Sequence, residues 1–178
     1  VTILALDTSA SRTGWCLGPS AGPVVTGSAA FKGHGLDIGS LLAGFRTWLR
    51  GMVEAHDPHL LAFEQPVRPF AAANLLTMRQ LYGIAGMVEL VARDKGLPVL
   101  ECKTNQMKKL IYGHGGKKPT PSVAMQRARE WGIETSNGDE SDAAGIYLFT
   151  VMHRYPADFM KWEHRRRESQ VMNGSTLV

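Results

Sequence analysis

Two short apolar runs in this chain each stop on an acid. Val1-Thr2-Ile3-Leu4-Ala5-Leu6 leads into Asp7, and His59-Leu60-Leu61-Ala62-Phe63 leads into Glu64. Turn residues follow both: Thr8-Ser9-Ala10-Ser11-Arg12 after the first, Pro66 and Pro69 after the second. Runs of this length and setting read as buried strands with a carboxylate at the carboxyl end.

What surrounds them sets the architecture. Residues 13–17 and 24–31 predict two more strands, joined by the turn Gly18-Pro19-Ser20-Ala21-Gly22-Pro23, which makes a meander with the first. Residues 36–55 have helical periodicity, with Leu41, Leu42, Phe45, Trp48, Leu49 and Met52 on one side, and Pro58 ends them. A second long helix is expected over 71–94. It contains Gly83, Ala85 and Gly86; glycine in a helix costs about 1 kcal/mol and has a packing reason, within the chain or between subunits. A short strand at 97–100, a helix at 104–112, a flexible basic loop at 113–121, and helices at 122–131 and 139–154 complete the pattern. A meander followed by alternating strands and helices predicts an α/β layer fold with a mixed sheet.

At 178 residues and 44% hydrophobic content, one globular domain is expected, over residues 1–154. Residues 155–178 are weakly periodic and carry Arg165-Arg166-Arg167, which reads as a basic C-terminal tail. No stretch reaches ~18 uninterrupted apolar residues and no charged-then-apolar leader is present, so a cytoplasmic chain without a membrane partner is expected. Cys16 and Cys102 sit in or beside apolar runs and read as small buried thiols in a reducing compartment.

The acids carry the chemistry. Asp7 and Glu64 close two strands, and Asp139 and Asp142, spaced i, i+3, share one face in the first turn of an apolar helix. Taken singly, Asp7 is an ordinary turn former, and Asp139 with Glu140 complements a helix dipole. Glu64, directly after four apolar residues, resists such an account, because a half-buried unpaired carboxylate is costly. Acids at the carboxyl ends of strands in an open α/β sheet can converge on one crevice. Crowded carboxylates repel unless cations neutralise them, and oxygen ligands alone suit Mg²⁺ or Mn²⁺, two ions of which serve phosphodiester cleavage.

The net charge is only +4, but its placement is uneven. Between Cys102 and Arg129 there are seven basic residues, Lys103, Lys108, Lys109, Lys117, Lys118, Arg127 and Arg129, and no acid. Lys108, Lys109, Lys117 and Lys118 are the candidate contacts to DNA phosphates, with solvated surface charge the ordinary alternative for any one of them. Phe70 is a candidate for stacking on an exposed base or for burial at a helix start. Gly113-His114-Gly115-Gly116-Lys117-Lys118 is not a P-loop, since Ile111 stands where a glycine is needed and no Ser or Thr follows Lys117. His56 and His59 lack a cysteine pair and flank Pro58, so they read as a surface turn.

In order and spacing, Ile3-Leu4-Ala5-Leu6-Asp7 with Thr13-Gly14-Trp15, Leu61-Ala62-Phe63-Glu64-Gln65, Asn105-Gln106-Met107-Lys108-Lys109 with the Lys117-Lys118 loop, and Asp139-Glu140-Ser141-Asp142-Ala143-Ala144 resemble the motifs of RuvC-type Holliday-junction resolvases. The resemblance spans about residues 2–152. It implies an RNase H-like three-layer fold with a mainly five-stranded sheet flanked by helices. It also implies a homodimer cutting four-way DNA junctions with symmetric nicks, and Asp7, Glu64, Asp139 and Asp142 as the metal-binding catalytic set. Thr8-Ser9 stands where that family has Pro-Gly, and this start is similar to actin-like, TsaB-type proteins. A noncatalytic junction-binding or actin-like partner, and an RNase H-like nuclease for other branched or hybrid substrates, are the alternatives.

Overall fold

A computed structural model of the chain describes residues 1–31, 37–66, 75–113 and 119–174. The meander is β1 (Thr2–Asp7), β2 (Arg12–Pro19) and β3 (Val25–Ala30), paired antiparallel. Helix α1 (Ile38–His56) crosses to β4 (Leu60–Glu64), which runs parallel to β1, and α2 (Leu75–Lys95) crosses to β5 (Val99–Cys102), parallel to β4. The strand order is β3-β2-β1-β4-β5. Four helices follow: α3 (Thr104–Tyr112), α4 (Pro121–Glu130), α5 (Gly138–Arg154) and α6 (Pro156–Gly174). This is the mixed five-stranded α/β layer fold expected from the sequence.

The two faces of the sheet are sorted by strand parity. Ile3, Ala5, Cys16, Leu60, Ala62 and Cys102 join one core with α3 to α6, whereas Leu4, Leu6, Leu17, Leu61 and Phe63 join the other with α1 and α2. Because side chains alternate along a strand, a continuous apolar run serves both layers at once. Helix α5 is buried from Glu140 through Val151, as a helix apolar on all sides must be, and it forms the middle of its layer. A Cβ on Gly145 would meet the Met107 sulfur at 2.7 Å, so a glycine there lets α3 cross closely. On the other face a Cβ at Gly83 would meet Leu42 of α1 at 3.0 Å, which gives Gly83 a packing role within the chain; one at Gly86 would meet nothing within 4 Å.

Several boundaries differ from the sequence reading by one or two residues, β2 for example running on to Pro19, and two differences bear on the packing. β5 begins at Val99 rather than at residue 97, because Pro98 has no N–H to enter the ladder and contributes only its carbonyl, which accepts from Leu61 N. The second correction concerns the expected tail, since residues 156–174 are helical and α6 docks on the body. Phe159 and Trp162 are buried, the Trp162 indole donates to the Ser20 carbonyl at 2.8 Å, and Ser20 Oγ donates to Asp158 at 2.6 Å. Two arginines of the run serve this docking: Arg165 lies 4.0 Å over the Trp162 ring and donates to the Ala21 carbonyl at 3.2 Å, and Arg166 lies 4.5 Å over Trp131, while Arg167 pairs with Glu163 within α6. Long cationic stems replace the apolar residues a periodicity search looks for.

Both cysteines are free and fully buried on the α5 face, as anticipated. Burial pushes the Cys16 thiol far up, and the Cys102 thiol, 3.8 Å from Thr150 Oγ1, to about 12. Among the described residues no helix is long and apolar enough to cross a membrane.

Candidate active site

Parity aims the strand acids. Asp7 continues the series Ile3, Ala5 and Glu64 the series Leu60, Ala62, so both carboxylates fall on the α5 side of the sheet. Leu6 pairs with Phe63 across parallel β1 and β4, which sets Asp7 and Glu64 at neighbouring strand ends. The apolar runs alone carry this signal, since a period of two applied from each acid backwards assigns the face.

The start of α5 brings the other two acids to the same edge. Asn137 is the N-cap, its side chain accepting from Glu140 N at 3.0 Å. Glu140 returns the bond, accepting from Ser136 N and Asn137 Nδ2 at 2.8 Å each and from Thr26 Oγ1 at 3.3 Å. This reciprocal cap occupies the Glu140 carboxylate and fixes the direction of the first turn. Gly14, the register partner of Asp7, makes room for it: a Cβ there would stand 2.1 Å from the Asp139 carbonyl oxygen. Asp142 is buried one turn on, and Asp139 is partly exposed.

Tyr112, buried at the end of α3, connects the set. Its hydroxyl donates to Asp142 Oδ1 at 2.8 Å. Burial pushes the phenol's pKa up, and the negative charges of Asp142, Asp7 and Glu64 push it further. Asp139 pairs with Arg12, whose Nε lies 2.5 Å from Asp139 Oδ2. In this arrangement no three His, Cys, Asp or Glu side chains among the described residues close a metal cage. The donor set nonetheless suits a hard cation: every donor is a carboxylate oxygen, and the position beside Asp139 already accepts the positive charge of a guanidinium.

Of the predicted DNA contacts, Lys108 and Lys109 lie on α3 and pair with no acid among the described residues; Phe70, Lys117 and Lys118 fall outside them, as does His114. Arg127 and Arg129, counted in the acid-free basic stretch, pair with Glu130 at 2.9 Å and Glu134 at 3.3 Å, just past its end. A feature not anticipated from sequence is a groove of about 600 Å³ between α2 and the start of α3, lined by Gln65, Tyr82, Lys103, Asn105, Gln106 and Lys108. A smaller recess holding Thr8, Glu64 and Leu81 shares Gln65 and Pro66 with it.

The chain is 35% identical to the crossover junction endodeoxyribonuclease RuvC of Rhizobium etli over 158 residues, 86% of this chain and 91% of that protein. The chain belongs to the RuvC family. RuvC of Agrobacterium fabrum is 31% identical and that of Allorhizobium ampelinum 33%, each with the same coverage of both chains. No family model matches the chain. Thermus thermophilus RuvC in complex with a Holliday junction substrate superposes with a TM-score of 0.68 at 15% identity, over 90% of this chain and 96% of that one. The yeast mitochondrial Holliday junction resolvase superposes with a TM-score of 0.59 at 14% identity, over 98% of this chain and 84% of that one. At these identities the superpositions speak for the RuvC fold, a five-stranded RNase H-like sheet with helices on both faces.

Proposed function

We propose that this RuvC-family chain is a Mg²⁺-dependent endodeoxyribonuclease that resolves four-way DNA junctions, with Asp7, Glu64, Asp139 and Asp142 holding two ions. The observation that carries the reading is the meeting of strand ends and helix start: Asp7 and Glu64 on the α5 face, and the α5 first turn seated on Gly14 beside them. Such ions, when bound, neutralise charge on the scissile phosphate, activate the attacking water and stabilise the leaving oxygen. The chain's own part is orientation. Tyr112 orients the Asp142 carboxylate through a bond to Oδ1, Glu140 locks the helix start, and Arg12 pairs with Asp139.

Lys108 and Lys109, with Lys117 and Lys118 further along the chain, meet the DNA phosphates, and Phe70 stacks at the junction centre. Two opposing nicks need two active sites, so the working unit is a two-fold homodimer. The exposed stripe of α2, with Leu75, the open Gly86 and Leu90, suits that contact. Cleavage leaves 5′-phosphate and 3′-hydroxyl ends. The two free buried thiols agree with work in the reducing cytoplasm.

The deciding experiment compares cleavage of four-way, three-way and linear DNA in Mg²⁺ and with a chelator. Paired nicks confined to the four-way junction and abolished by chelation are expected. Tight junction binding with no cleavage in either Mg²⁺ or Mn²⁺ would replace the nuclease by a noncatalytic junction-binding protein.

A further inference from the structure

The ion pair between Arg12 and Asp139 joins side chains 127 residues apart in the chain. Two local features prepare the arginine for it. Ser9 Oγ accepts from Arg12 N at 3.1 Å and donates to the Arg12 carbonyl, so the backbone is fixed on both sides of the Arg12 α carbon. Two residues on, Gly14 lies on the same face of β2, opposite Asp7, and seats the backbone of Asp139, which brings that carboxylate within reach of the guanidinium.

The pair contributes little to holding the fold. Its side chains are 49% and 26% exposed, and pairs of that exposure are worth up to about 1 kcal/mol. The start of α5 is already held by the reciprocal cap between Asn137 and Glu140 and by the Gly14 contact. A carboxylate in the first turn of a helix also has the helix dipole to balance its charge. What the pair does is occupy: Arg12 covers one oxygen of a carboxylate in the proposed metal set with a positive charge. Only Nε is engaged. The two terminal amino groups make no hydrogen bond among the described residues, so this half-exposed side chain keeps the outer edge of its planar fork open to a second anion. A phosphodiester has the charge and the oxygen geometry for that fork.

We propose that Arg12 is an exchangeable counter-ion: it holds Asp139 against a divalent cation while the protein is free of DNA, and gives the carboxylate up for a phosphodiester when a junction is bound. Substrate and cation are thereby linked, because either one separates Arg12 from Asp139 and so favours the other. The inference rests on the metal-site reading and adds to it a reason for the site to stay unloaded until there is something to cut.

The test needs no cleavage. Mn²⁺ binding to the full chain without DNA is followed by electron paramagnetic resonance for the wild type, Arg12→Gln and Arg12→Lys, and four-way junction binding in Ca²⁺ is measured over a salt series for the same three proteins. Arg12→Gln should take Mn²⁺ about two- to fivefold more tightly, the equivalent of a partly exposed pair, whereas Arg12→Lys, which keeps the charge, should stay near the wild type. The gain should vanish in an Asp139→Asn background, where there is no carboxylate to guard; a gain that persists there is a long-range field effect and overturns the exchange. On the junction, the slope of log K against log salt should fall by about one in Arg12→Gln, at ~0.9 per phosphate contact, and keep its value in Arg12→Lys. Equal Mn²⁺ affinity in wild type and Arg12→Gln leaves an ordinary surface ion pair, and an unchanged slope removes the phosphate; either result overturns the exchange. If neither protein takes up Mn²⁺, the metal site fails and the exchange with it, an outcome distinct from a bound ion that is indifferent to Arg12.

Discussion

The α position of Gly14 and the backbone of Asp139 are in direct contact, with a Cβ on Gly14 falling 2.1 Å from the Asp139 carbonyl oxygen and 2.9 Å from Glu140 N. Backbone cannot yield as a flexible side chain can. Gly14→Ala is therefore expected to lift the first turn of α5 from β2, costing about 1–3 kcal/mol of stability. Cleavage should fall by about a hundredfold, the scale for a small displacement of positioned groups. Thermal unfolding and single-turnover cleavage check both, and a Gly14→Ala protein that cuts at the normal rate would remove α5 from the site.

Asp7→Asn, Glu64→Gln, Asp139→Asn and Asp142→Asn should each abolish Mg²⁺-dependent cleavage while circular dichroism and junction binding stay close to normal. The substitutions keep size and remove only the charge that would hold cations. A double Asp139→Asn/Asp142→Asn protein cutting at the wild-type rate would show that the chemistry lies elsewhere.

Tyr112→Phe deletes the donor to a buried Asp142 oxygen. Losing that bond to a buried carboxylate should cost about 1–2 kcal/mol in metal-free protein. A cation bound at the Asp142 carboxylate would offset part of the lost bond, so the stability gap to the wild type should narrow as Mg²⁺ rises. Chemical denaturation across a Mg²⁺ series measures it, and a gap indifferent to Mg²⁺ would confine Tyr112 to packing.

The bond from Ser20 Oγ, followed by the neighbouring Lys161, holds the Asp158 carboxyl below its ordinary range. A depressed folded value means that the contribution is complete above the unfolded carboxyl's pKa and is lost as pH falls through the lower folded one. Acid titration followed by tryptophan emission should therefore show α6 loosening around Trp162 below the usual carboxylate range. Asp158→Asn should blunt that dependence; an identical acid profile in the variant would assign the transition to other groups.

Lys117 and Lys118 sit among glycines before Pro119. If both meet phosphates, replacing the pair with Ala should weaken junction binding and lower the slope of log K against log salt by roughly one to two, at ~0.9 per contact. Cleavage should fall with affinity. An unchanged slope would move the DNA path to Lys108, Lys109 and the groove beside them.

Much of the fold was legible because strand runs and long amphipathic helices carry period-two and 3.6 signals over several residues. β1, β4 and α5 read directly, with the acids at their ends. What escaped was set by partners remote in sequence. Trp162 is covered by the Ser20 carbonyl and by Arg165, so α6 offers few apolar positions to detect. Arg127 and Arg129 looked free of acids until Glu130 and Glu134 were seen to turn back onto them. Glu140 read as a dipole charge, yet its bonds to Ser136 and Asn137 depend on how the loop enters the helix. Tyr112 carried no signal at all, since only folding sets its hydroxyl against Asp142.

Cys16 on β2 and Cys102 on β5 lie toward opposite edges of the sheet, both sealed on one face in the layer built around α5. A maleimide added to the native protein can react with neither until that layer lifts, and their high pKa values suppress thiolate meanwhile. The chain thus carries two chemical clocks. Matched labelling rates mean that α3 to α6 part from the strands as one cooperative unit, whereas unequal rates reveal which edge of the sheet opens first.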